Sequence, residues 1–142
     1  MRGGIVPGIV AAGVWAAAEP ALGRLFRTPY SDARVLGAPL TGGGRGWRVA
    51  GTAVHLANGA LFGAAFARLG GRGWKVGVAA AEVENLALWP LIAVMDRVHP
   101  DRRSGAWPPL VGNGRVFAYE VVAHALFGAV LGALVAAEGD TR

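Results

Sequence analysis

The sequence predicts an all-α polytopic membrane protein of four transmembrane helices, arranged as two tandem helical hairpins in one domain over residues 1–142. Three observations carry this prediction. Apolar residues make up 54% of the chain and charged residues only 16%, low for a soluble domain. The charges also leave four long gaps. Finally, a set of motifs recurs in order in the two halves of the chain.

The four gaps define the helices, expected at about 4–23, 47–67, 74–96 and 115–137. Between Arg2 and Arg24 the only charge is Glu19, and 49–67 carries none. Between Lys75 and Asp96 stand only Glu82 and Glu84, and between Arg115 and Glu138 only Glu120. Each gap is about 20 residues, enough to cross ~30 Å of hydrocarbon at ~1.5 Å per residue. Abundant Gly and Ala suit helices that approach closely in lipid, where burial of apolar surface no longer drives association. A soluble Gly/Ala-rich helical globule is the competing explanation, but four such segments would need a much larger polar shell.

The first helix also resembles a secretory signal peptide, with Arg2, an apolar stretch and Ala16-x-Ala18. The repeat argues for its retention. "GAPLTGGGR" at 37–45 and "GAWPPLVGNGR" at 105–115 agree at seven of nine positions once Trp107 and Pro108 are removed. Asp32 and Arg34 correspond to Asp101 and Arg103 upstream. His55 and His124 follow downstream, each with glycines four and eight positions later: Gly59 and Gly63, then Gly128 and Gly132. The repeats are expected at about 3–69 and 73–138. Each is a two-helix hairpin, so the halves have parallel topology and their pseudo-twofold axis runs along the membrane normal.

Both termini and the turn "ARLGGRGWK" then share one side, and two long loops, roughly 25–46 and 97–114, share the other. The long-loop side carries nine of the 14 Lys and Arg residues, which places it in the cytoplasm and the termini outside. The net charge of +5 lies in segments that flank apolar spans rather than on one face, which suits lipid headgroups and argues against a nucleic-acid partner. Trp47, Trp74, Trp89 and Trp107 fall near helix ends or loops, as interface anchors do. Oligomers through the small-residue faces of Gly59, Gly63, Gly128 and Gly132 are expected.

The candidate site is a set of polar residues inside the spans: Glu19, His55, Asn58, Glu82, Glu84, Asn85, Glu120 and His124. His55 and His124 lie ~12–13 Å inside the long-loop face. Glu120 is one turn shallower than His124 on the same face. Ionised groups facing lipid cost at least ~2.5 kcal/mol, so these residues should face the bundle interior and satisfy one another. Pro20 and Pro90 free carbonyls one turn back and add acceptors.

Three functions follow from such a cluster. One is proton- or ion-linked handling of a small solute, because histidine titrates near neutrality and intramembrane acids mark pathways. The second is structural: interhelical hydrogen bonds, worth ~0.6 kcal/mol each. The third is cofactor binding. His55 and His124 could ligate one haem b iron axially, or Glu120 and His124 could hold a divalent metal with Glu84 or His55. No cofactor is the leading expectation of the three. Enzymatic activity is not expected. Ser31 and Ser104 lie in loops without a Gly-x-Ser-x-Gly turn, and "TGGGRGW" lacks the Gly-Lys-Ser/Thr ending of a phosphate loop. Cysteine is absent, which excludes disulfides and thiol chemistry.

The outline resembles the YagU-like bacterial inner-membrane proteins, a family without a settled molecular activity. The shared features are Glu19, Pro20 and Pro29 around the end of the first span, His55 in the second, and Glu120-x-x-x-His124 in the last. Glu82 and Glu84 depart from that pattern, as does the short chain. The resemblance implies a multi-pass protein of a bacterial cytoplasmic membrane and supplies no reaction. Thirteen arginines beside one lysine, with abundant Ala and Gly, also suit a GC-rich bacterial genome.

Overall fold

The computed structural model describes residues 3–140, and Arg2 and Arg142, counted above, lie outside them. Every regular element among the described residues is helical. In chain order they are α1 (Ile5–Leu25), α2 (Asp32–Thr41), α3 (Trp47–Arg68), α4 (Trp74–Leu88), a 3₁₀ turn (Trp89–Leu91), α5 (Ile92–Val98), α6 (Pro100–Arg103) and α7 (Gly114–Asp140). Four helical stretches are long and apolar enough to cross a membrane: Ile5–Leu25, Trp47–Arg68, Trp74–Val98 and Gly114–Gly139. The third is not one regular helix. Pro90 lacks an N–H to continue the ladder, and the 3₁₀ turn at Trp89–Leu91 joins α4 to α5.

The helices pack in the order α3, α1, α7, α4. α1 and α7 form the centre, α3 lies on α1, and α4 lies on α7. α3 and α4 do not pack on one another. Burial follows this order: 44% of the α7 span is buried against 11% of the Trp74–Val98 span, so the latter presents most of its surface outward. Val83 and Leu86 are among the large apolar side chains exposed there, and Leu61 is exposed on α3, as expected of lipid-facing positions.

Glycine sets the close approaches. A Cβ on Gly8 of α1 would run into the backbone of Gly59 and Gly63 on α3. A Cβ on Gly77 of α4 would run into the backbone of Gly128 and Gly132 on α7. All four glycines singled out in the sequence therefore sit at helix crossings. At the second crossing the backbones also bond directly, Gly73 N–H to Gly132 C=O at 3.0 Å.

The loops expected at 25–46 and 97–114 contain structure of their own. Ser31 caps α2 by accepting the Arg34 N–H at 3.3 Å, and α2 packs along α3 at Gly37 and Gly51. Asp32 at the start of α2 meets His55, whereas Gly37 meets Trp47. α2 thus starts at the level of His55 and climbs outward, antiparallel to α3. His55 is ~12 Å along α3 from Trp47, so the first turn of α2 dips well below the end of the bundle. The approach segment is shielded by protein, with Thr28 and Tyr30 both buried. That shielding is what non-helical backbone at such depth requires.

The second loop forms a clasp over the same end. His99 is wholly buried and caps α6 by accepting the Asp101 N–H at its Nδ1. The Arg34 guanidinium makes two bonds to the Asp101 carboxylate, Nε–Oδ2 at 2.5 Å and N–Oδ1 at 2.6 Å. That partner holds Arg34 even more firmly protonated than usual. Trp107 corrects the interface-anchor expectation: it is 3% exposed and lies between His99, stacked at 4.5 Å, and Tyr30 at 5.4 Å. Buried against both rings, it has almost no surface left for a headgroup region.

Candidate functional site: a histidine and carboxylate cavity

Because α3 and α4 stand apart, the centre of the bundle holds a partly open cavity of about 240 Å³. Its floor is Trp15 of α1, and its walls come from α2, α3, α4 with its 3₁₀ extension, α5 and α7. His55, Asn58, Glu84, Asn85, Glu120 and His124 all line it. Six of the eight residues expected in the polar cluster thus come together in one space.

Each histidine is paired with a carboxylate. His55 Nδ1 is 3.2 Å from Asp32 Oδ2. His124 Nδ1 is 2.8 Å from the Glu120 carbonyl and 3.3 Å from its Oε2. The spacing of Glu120 and His124, one helical turn apart, makes the second pair local to α7. The first pair joins α2 to α3, and its carboxylate comes from a residue the sequence marked only as a repeat position.

Trp15 stands between the two imidazoles, edge-on to both, with ring centroids 4.8 Å from His55 and 4.6 Å from His124. Glycine at 59 leaves room for Ala12 on the other side of this contact. The arrangement does not fit axial haem ligation, because the indole fills the space a macrocycle would need. No three His, Asp or Glu side chains among the described residues converge as metal ligands.

The remaining two expected residues lie off the cavity lining. Glu19 accepts the Ser31 hydroxyl at 2.7 Å, the Asp32 N–H at 2.7 Å and the Ala33 N–H at 3.2 Å. It therefore caps the N-terminus of α2 from below, where a carboxylate complements the helix dipole. Glu82 accepts a bond from Asn85 Nδ2 at 3.3 Å, one turn along α4. Both acids serve local structure.

Several polar atoms in this region are buried without a partner. They include Trp15 Nε1, His55 Nε2 and Glu120 Oε1, all on residues that line the cavity. These residues are 5%, 6% and 5% exposed. Glu82 Oε1 and the Tyr119 hydroxyl are buried in the same way but lie off the cavity lining, so a polar occupant, water included, is within reach of the first three residues only.

Tyr30 and Asp32 are the lining residues that sequence reasoning missed, together with Trp15. A signal for two of them existed. Ser31-Asp32 ahead of Ala33-x-Val35 is a helix-start pattern, and it would have placed α2 inside the loop. Trp15 carried no such signal, because a tryptophan in an apolar span reads as lipid-facing or core alike. Burial beside Glu120 and Asp32 pushes the Tyr30 hydroxyl well above its ordinary pKa.

Fold and site together define a class: an all-helical protein with four helices of membrane-crossing length around a cavity lined by paired histidines and acids. No family model matches the chain, and neither a curated protein nor a solved structure matches it significantly.

Proposed function

We propose that this chain is a multi-pass protein of a bacterial cytoplasmic membrane that binds a small solute in its central cavity, with binding linked to protons or ions at the two histidine–carboxylate pairs. The observation that carries this reading is that both histidine–carboxylate pairs and Glu84 line one cavity, together with Trp15, and that Trp15, His55 and Glu120 each keep a buried polar atom without a hydrogen-bond partner. A purely structural cluster would use its hydrogen-bonding capacity internally, as Glu19 does. The structural reading is kept for Glu19, and the solute reading for the cavity. The titratable groups around the two pairs are Glu19 from α1, Tyr30 from the segment before α2, Glu84 from α4 and Tyr119 from α7.

The chain is further proposed to be a duplication. Gly4 and Gly73, Gly8 and Gly77, Asp32 and Asp101, His55 and His124, and Gly59 and Gly128 are each 69 positions apart. The glycine pairs support it because Gly8 meets Gly59 in one hairpin as Gly77 meets Gly128 in the other. Kinship with the YagU-like proteins, cytoplasmic long loops and assembly into oligomers through small-residue helix faces belong to the same proposal.

The test is proton flux in proteoliposomes under an imposed pH gradient. Wild-type protein should dissipate the gradient faster than empty liposomes, and Glu120→Gln and His124→Ala should each remove most of that excess. Equal flux in wild type and both variants would leave only the structural role.

A further inference from the structure

The bonding pattern of the cavity narrows what can fill it, granted the solute-binding reading above. Each histidine has its Nδ1 beside a carboxylate oxygen, His55 with Asp32 and His124 with Glu120. Carboxylates only accept, so in the neutral ring the proton belongs on Nδ1 and Nε2 carries a lone pair. His55 Nε2 is buried and unpartnered, and so is Glu120 Oε1. With the ring neutral and the carboxyl ionised, both orphans are acceptors. Asp32, Glu84 and Glu120 add carboxylates from three different elements, and no lysine or arginine lines the cavity.

The rest of the lining is apolar and aromatic. Trp15, Phe62, Trp89 and Phe127 contribute ring surfaces. Aromatic faces attract cations as well as apolar bodies. The volume of about 240 Å³ falls below the ~300 Å³ floor of sites for drug-sized molecules, so the occupant is small. Its way in lies on the side of the bundle, between α3 and α4, where the lining residues Asn58, Leu88 and Leu91 are exposed.

We infer that the cavity takes a small lipophilic organic cation, an aryl- or alkylammonium, which reaches it sideways from the bilayer between α3 and α4. An anion would face Asp32, Glu84 and Glu120, while the two histidines of the lining already turn their Nδ1 to Asp32 and Glu120 and leave Glu84 without a basic partner on the lining. A neutral apolar molecule would leave His55 Nε2 and Glu120 Oε1 without donors, at a cost of about 1–3 kcal/mol each. An ammonium supplies both the charge and the donors, and its ring or chain fills the aromatic remainder.

The test uses purified protein in nanodiscs of zwitterionic phosphatidylcholine, so that the lipid itself does not concentrate charge. The probes are 1-naphthylmethylammonium, 1-naphthylacetate and 1-naphthalenemethanol, which share a ring system and differ in the head. Equilibrium dialysis should show saturable binding of the ammonium at one site per chain, at least tenfold tighter than the other two. Glu120→Gln should weaken it by about thirtyfold or more, as loss of one partner of a buried charge pair does, and Glu84→Gln by about tenfold, because Glu84 is partly exposed. Glu84 is only half-buried at the rim, so its variant carries the test if the Glu120 variant does not fold. Equal binding of the acetate or the alcohol, or ammonium binding that does not saturate, overturns the proposal. Proton release on binding, read in weak buffer, separates the two readings. Selective ammonium binding without proton exchange upholds this ligand class and removes the proton linkage. Proton flux in liposomes without ammonium selectivity does the reverse.

Discussion

The two hairpins solve the same packing problem in one way and the same polar problem in two ways. At the crossings they agree: Gly8 meets Gly59 and Gly63, and Gly77 meets Gly128 and Gly132. Around the histidines they differ. In the first hairpin a separate short helix, α2, folds back along α3 and delivers Asp32 to His55. In the second no such helix packs on α7, and His124 takes its carboxylate from Glu120 one turn away. Position 101, which lies 69 residues after Asp32, holds an aspartate that turns instead to Arg34 of the first hairpin. What the second hairpin lacks in that place is volume. α5 runs on from α4 and contributes Ile92 and Met95 to a wall rather than filling the centre. The cavity is thus the consequence of a broken likeness: a plug on one side and a gap on the other.

The strongest way to test the agreement is to add one methyl group on each side. Gly8→Ala and Gly77→Ala both place a Cβ against backbone that has no room to yield. Each should lower stability by about 3 kcal/mol, the upper end for overpacking, because backbone moves less readily than a side chain. Gly13→Ala is the control, since nothing lies within 4 Å of the added atom, and it should be neutral or stabilising by up to about 1 kcal/mol. Thermal unfolding in detergent, followed by far-ultraviolet circular dichroism, reads all three. Unequal losses at positions 8 and 77 would mean that the two crossings are not built alike.

The disagreement between the hairpins is held in place by Arg34, which ties α2 to α6. Arg34→Ala leaves Asp101, 4% exposed, without its two guanidinium bonds. The expected loss is about 1.5–3 kcal/mol, the range for hydrogen bonds to charged groups. Arg34→Lys should recover only part of it, since an ammonium cannot make the forked contact. Arg102→Ala should cost less, because Asp96 keeps the Leu110 N–H at 2.8 Å. Hydrogen exchange would show whether α2 loosens first. If the amides of 32–41 keep their protection in Arg34→Ala, the Glu19 cap alone fixes α2 and the clasp is dispensable.

How far this arrangement could be read in the sequence depends on which signal each part leaves. The four long helices were legible, because the hydrocarbon imposes a length and a charge gap that any chain must show. The glycine crossings were legible for a similar reason, as a four-residue spacing keeps one helix face. That His55, Glu84, Glu120 and His124 would share a space followed from depth and from the cost of facing lipid. Depth could not say which partner each would choose. Glu19 was placed among the cavity acids because α2 was missed, and without a helix to cap, its carboxylate had no other use. His99 has no spanning segment around it to mark it, and Trp107 reads as an anchor because indoles near helix ends often are. Both belong to contacts between distant stretches of chain, Arg34 O to His99 Nε2 at 3.2 Å among them, and neither leaves a local pattern.

The smallest expected effect concerns Tyr30 and His99, which lie 69 positions apart and grip Trp107 from the two hairpins. They differ in what alkali does to them. Burial first, and then the neighbouring Glu120 and Asp32 charges, raise the Tyr30 pKa well above its ordinary value. A raised folded-state pKa stabilises the fold fully below the unfolded value, about 10, and the stability is lost as pH climbs above it. The reason is that the unfolded chain releases the phenol proton while the folded chain still holds it. Above pH ~10 this one group should subtract about 1.4 kcal/mol of stability per pH unit. Tyr30→Phe keeps the ring against Trp107 and removes the titration. Its stability profile between pH 9 and 11.5, from denaturant unfolding in detergent, should therefore fall less steeply than that of wild type. Parallel profiles would mean that Tyr30 ionises in place, and that the clasp admits water where the structure shows a closed aromatic stack.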